Sequence, residues 1–110
     1  MPQTALQGEL AISYGGAQSS LNITAAAVVK ATAGRLFKIV VIAPGTTSGS
    51  LTINDASTTG AASATNTIFS ALYSALTAGQ VINLDWPCAN GITISAVPGA
   101  GSPIFAVSYY

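Results

Sequence analysis

From Leu21 onward the chain is a succession of short apolar runs, separated at fairly even spacing by turn residues. That punctuation constrains the fold more than any other feature, because it is the pattern of an all-β sandwich or barrel. Arg35–Ala43 is the strongest strand. Phe37, Ile39 and Val41 alternate to one face, and Leu36, Val40 and Ile42 to the other with Lys38 among them. Apolar residues on both faces predict a central strand buried on both sides or covered by a neighbour. Pro44-Gly45 ends it, since proline cannot donate to a ladder and glycine permits the turn.

Other segments alternate in the same way. Ser50–Asn54 points Leu51 and Ile53 inward. Gln80–Trp86 sets Ile82, Leu84 and Trp86 against Asn83 and Asp85. Ile92–Val97 sets Ile92, Ile94 and Ala96 against Thr93 and Ser95, and Ile104–Tyr110 is a last strand tied into a sheet. A first strand lies in Leu21–Thr24, in Val28–Ala31, or in both. Thr67–Leu76 fits two periods: Ile68, Leu72 and Leu76 repeat at four, while Phe69, Ala71, Tyr73 and Ala75 alternate with serines. The absence of Glu, Lys, Gln and Arg there favours strand. Turns are expected at Thr32–Gly34, at Pro98–Ser102 and at Pro87–Gly91, where Asn90 and Gly91 both tolerate positive φ. Asp55–Thr65 is a small-residue loop of the kind that is often functional or mobile. Residues 1–20 are polar and read as an extended arm with a short strand at Leu10–Tyr14. The chain is thus an arm (1–20) and one domain (21–110), an antiparallel, jelly-roll-like β-sandwich of about seven or eight strands.

Charge bounds the function. Only Glu9, Lys30, Arg35, Lys38, Asp55 and Asp85 carry a formal charge, half the residues are hydrophobic, and histidine is absent. A free monomer usually keeps itself soluble with a surface about a quarter to a third charged. This surface must instead be Ser, Thr, Asn, Gln and Gly, or be covered by other protein. Three basic residues against three acidic ones leave no footprint for nucleic acid or an anionic membrane. The opening MPQTALQGEL lacks the basic residue and apolar core of a signal peptide, and no apolar run is long enough for a membrane span.

Candidate chemistry is sparse. Without histidine there is no Ser-His-Asp or Cys-His pair and no histidine metal site. Cys88, the single cysteine, can form no intrachain disulfide and has no neighbour to stabilise a thiolate; it reads as a small apolar turn residue. Asn54-Asp55 with Ser57, Thr58 and Thr59 is a thin cation loop, better read as an Asx turn in which Asp55 bonds N–H groups just ahead. Asn22-Ile23-Thr24 matches the glycosylation pattern by chance. Lys30 and Lys38 flank an expected hairpin whose turn holds Arg35, giving a solvated face or salt bridges to a partner subunit. Trp86 and Phe105 are expected in the core. Tyr109 and Tyr110 are consecutive and face opposite ways, so one points outward, where tyrosine is a favoured interface anchor. Tyr109, Tyr110 and Tyr14 are the interface candidates. No catalytic residue, metal site or cofactor is expected, and the chain reads as no enzyme.

Three stretches taken together resemble small all-β virion proteins of tailed bacteriophages. They are GRLFKIVVIAPGTTSGSLTIND at Gly34–Asp55, ALTAGQVINLDWPCANGITIS at Ala75–Ser95, and FAVSYY at Phe105–Tyr110. The resemblance covers about Leu21 to Tyr110. It implies a structural subunit of the capsid decoration or cement type with a jelly-roll-like fold, homo-oligomeric and bound to the major capsid protein or other virion proteins. Its place would be the virion, assembled in the bacterial cytoplasm. Tail, fibre and receptor-binding subunits are similar in look. A carbohydrate-binding sandwich, using Tyr73, Trp86, Tyr109 or Tyr110 as a platform, is the alternative of another class. In the cement reading the arm orders by strand addition along a neighbouring sheet edge.

Overall fold

A computed structural model describes residues 18–46, 48–99 and 101–110. The apolar runs form eight strands: β1 (Gln18–Ile23), β2 (Ala27–Lys30), β3 (Gly34–Ala43), β4 (Ser50–Asn54), β5 (Thr67–Leu72), β6 (Val81–Cys88), β7 (Ile92–Ala96) and β8 (Ile104–Tyr109). They make two four-stranded antiparallel sheets. Sheet A has the order β1-β8-β3-β6 and sheet B the order β2-β7-β4-β5. The pairings are nested: β1 with β8, β2 with β7, β3 with β6, β4 with β5. Rolling that nested ribbon adds the contacts β3 with β8 and β4 with β7. The result is the strand order of a jelly roll, as expected from the run spacing.

The inner faces bury Leu36, Ile39 and Val41 of β3, Leu51 and Ile53 of β4, Ile92 and Ile94 of β7, and Phe105 and Val107 of β8. Leu36 departs from the simple alternation. Between Leu36 and Lys38 the chain advances two residues against one on β8, from Tyr109 to Ser108. Phe37 is the extra residue of a bulge, so the phase changes there and Leu36 joins Ile39 and Val41 inside. Lys38 and Ile42 are exposed on the outer face and Val40 is half-buried, so β3 is central but buried on one side only.

Several local expectations change. Gln18–Ser20 belong to β1 rather than to an arm. The Leu21 and Val28 runs are both strands, but in different sheets. Lys30 and Lys38 therefore flank a crossover between sheets and not a hairpin. Thr67–Leu76 is strand to Leu72, then a 3-10 turn over Tyr73–Ala75. β6 continues through Pro87 to Cys88, because an edge strand tolerates a residue with no N–H. Cys88 is thus a core residue at a strand end. Neither Asn90 nor Gly91 has positive φ. Gly91 is required for another reason: a Cβ there would sit 2.7 Å from the Lys30 carbonyl oxygen. The predicted strand at Leu10–Tyr14 lies outside the described residues.

The 55–66 segment is well ordered by hydrogen bonds. Asn54, buried at the end of β4, donates through Nδ2 to the Ser63 carbonyl and to Asn66 Oδ1, each at 2.9 Å. The segment folds into 3-10 turns at Thr59–Ala61 and Ala64–Asn66. Thr93, fully buried, donates to the Ala56 carbonyl at 2.7 Å, so this segment covers part of the outer face of sheet B.

Candidate interaction surface

Cross-strand partners share a sheet face. Ile39 pairs with Ile82 and Val107 on the core side, so its neighbour Val40, paired with Val81 and Ala106, lies on the outer face of sheet A. Ile42 follows two residues on, and Leu21 of β1 stands out at 71% exposure. Leu21, Ala106, Val40 and Val81 thus form an apolar row across all four strands. Lys38, with Asn83 and Ser108 as partners, marks where this face turns polar.

Beyond Lys38 lies a charged and aromatic end. Arg35 Nε donates to Asp85 Oδ1 at 2.7 Å, and Arg35 Nη2 donates to the Asp85 carbonyl at 3.3 Å. Hydrogen bonding to Asp85 raises the Arg35 pKa further above its usual value, ahead of the opposing desolvation. Asp85 sits in left-handed backbone (φ 48) at the point where β6 carries an extra residue against β3. Pro87 pairs with Arg35, and Trp86 beside it is 53% exposed. The expectation of a core tryptophan fails because β6 is an edge strand, with no further strand to cover it.

The tyrosines divide. Tyr109 is half-buried and packs on the core, whereas Tyr110 is exposed and exchanges two backbone hydrogen bonds with Arg35, both at 2.9 Å. Lys30 Nζ stands 4.9 Å from the Tyr110 ring centroid, within cation–π range. Tyr14 lies outside the described residues. Arg35 is paired within the chain, so the expected salt bridge to a partner subunit is not needed to satisfy it.

Asp55 binds over long range and not in a local Asx turn. Its Oδ1 accepts from the N–H groups of Asn90 (2.8 Å) and Gly91 (3.2 Å), and its Oδ2 from Ala89 (3.0 Å). Burial opposes its charge, but the three donors outweigh burial and hold the carboxyl below its usual pKa. With both oxygens committed to N–H groups, Asp55 is a clasp between the 55–66 segment and the β6–β7 turn. Among the described residues no three His, Cys, Asp or Glu side chains come together as a metal site. The Cys88 thiol is pushed up to about 11, first by burial and then by the charge of Asp55, which opposes nucleophilic use.

Sequence reasoning missed Leu21, Ile42 and Val81 as surface residues, and gave Trp86 an exposed place only in the carbohydrate-binding alternative. Pro87 was the available signal for Trp86, since proline within a strand marks an edge. Compared with known proteins, the chain matches no family model, no curated protein and no solved structure.

Proposed function

We propose that this chain is a non-enzymatic structural subunit of a bacteriophage virion, a decoration protein that binds the major capsid protein and stabilises the head shell. The observation that carries the reading is the outer face of sheet A. It combines an exposed apolar row with Tyr110 and Arg35, and Trp86, on the same side of the sheet as Leu36, is exposed at the adjoining β6 edge; all three are residue types enriched at interface hot spots. The stretches that resemble virion proteins include three of the four strands of this sheet, β3, β6 and β8, together with β4 and most of β7 of sheet B. The zero net charge, with Arg35 and Asp85 paired to each other, is consistent with contacts that tolerate salt. Acid–base catalysis has no histidine to draw on.

Co-sedimentation with purified phage shells tests the reading. The wild-type chain should pellet with shells in both low and high salt. Val81→Asp and Trp86→Ala should each weaken attachment at least tenfold, while Val28→Asp, on sheet B, should leave it unchanged. Free chain in the supernatant at all concentrations, or equal attachment by Val81→Asp, removes the proposal. Labelling confined to one vertex would place the subunit in the tail. The exposure of Trp86 favours one second reading, glycan binding on an aromatic platform. Glycan-array binding that Trp86→Ala abolishes would select it.

A further inference from the structure

Among the described residues the sandwich has four edge strands, guarded against pairing to different degrees. β1 carries a bulge with Asn22 at φ 56. β2 is four residues long, has an irregular register and ends in Lys30. β6 carries Pro87 and the charged Asp85 bulge. Prolines, charges, bulges and shortness are the devices by which folded chains blunt a free edge. β5 has one bulge, at Ile68, where it advances two residues against one on β4, but its register is unbroken from Phe69 to Leu72. Its six residues, TIFSAL, include no charge, proline or glycine, and Leu72 is 61% exposed. Among the described residues β5 pairs only with β4. Its inner-face residues Phe69 and Ala71, opposite Ile53 and Leu51, pack on the core yet remain half-buried. Ile82 and Leu84 of β6 are half-buried too. The three-residue link from β1 to β2 brings those two edges together, so β5 and β6 share the opposite, open side.

We infer that the free edge of β5 accepts an added strand, and that the strand is Glu9–Tyr14 of a second copy of this chain. Glu9–Tyr14 alternates Leu10, Ile12 and Tyr14 with Glu9, Ala11 and Ser13. One face of it supplies the apolar cover that Phe69 and Ala71 lack, and its backbone pairs with the β5 edge. Reach decides between the chain's own segment and a second copy. Tyr14 to Gln18 is four peptide steps, about 14 Å at full extension. β1 and β5 lie at opposite margins of the sandwich. Four strands at about 4.8 Å, one further spacing and about 10 Å between sheets put the β5 edge roughly 20 Å from β1. The chain's own segment cannot reach, so the exchange joins copies. The geometry is heterologous, edge of one copy to segment of the next, and closes as a ring or continues as a chain.

The inference does not depend on the virion reading, and its test uses the isolated full chain without shells. Sedimentation equilibrium should show self-association that Ile12→Asp and Leu72→Lys each weaken at least tenfold, with native circular dichroism. Ser70→Lys, exposed at the middle of β5, serves if Leu72→Lys fails to fold. A peptide of residues 7–17, added to a chain lacking 1–16, should shift the amide resonances of Thr67–Leu72. A monomeric wild-type chain at high micromolar concentration overturns the inference. So do variants that associate like wild type, or peptide shifts that are absent or confined to β1, β2 or β6.

Discussion

Asp55 closes the sandwich at one end through three backbone N–H groups on a turn 34 to 36 residues further on. Asp55→Ala leaves those donors without their acceptor. It should cost about 1–3 kcal/mol, read as a lower urea midpoint with unchanged slope. Because the folded pKa of Asp55 is lowered, its contribution is present above the ordinary carboxylate value of about 4 and is lost as pH falls through the lowered one. Asp55→Ala should therefore flatten the acid limb of stability against pH. Cys88 runs the other way. Its folded pKa of about 11 lies above the usual thiol value, so the folded state holds the proton longer. Its contribution is complete below about pH 8.5 and declines as pH rises toward 11. At pH 8 a thiol reagent should modify Cys88 at the rate of unfolding and at once in denaturant. Fast native labelling would contradict the burial described above.

At the scale of elements, bulges do the shaping. Phe37 on β3 and the extra residue near Asp85 on β6 break both ladders at one level of sheet A. Asp85 occupies left-handed backbone that glycine accepts and a β-branched residue resists. Asp85→Gly and Asp85→Val both remove the Arg35 partner, so the difference between them isolates the backbone. Thermal unfolding should place the valine variant below the glycine variant by about 1–2 kcal/mol; equal midpoints would show that the bulge relaxes. The same feature explains what was legible in advance. β4, β7 and β8 could be read from alternation alone, because period two is local. Leu36 could not, since a bulge is a count of two residues against one and needs the partner strand. Asp55 and Trp86 were misread for a related reason. The targets of Asp55 lie on a distant turn, and the exposure of Trp86 follows from β6 having no outer neighbour. The interface candidates were legible in kind but incomplete: Tyr110 was found by chemistry, while Leu21, Ile42 and Val81 are surface residues only by their place in the sheets.

For the whole molecule, the nested pairing makes nearly every ladder long-range, with only β4 and β5 paired to an immediate neighbour in sequence. Such topologies fold in milliseconds to seconds. Stopped-flow refolding should fall in that range, and fluorescence and circular dichroism should report one coincident transition. Microsecond folding, or separated transitions for the two sheets, would contradict a single shared core. Phe105→Ala, which empties the centre of sheet A, should cost about 3–5 kcal/mol. The nested order also bears on synthesis at the ribosome. β8 follows the seven other strands in the chain, yet it lies inside sheet A and links β1 to β3. A nascent chain that has emerged only as far as β7 holds the two halves of that sheet with nothing between them. Sheet A, and the face proposed for assembly, can close only after β8 has left the exit tunnel, so an incomplete chain cannot present that face to a partner.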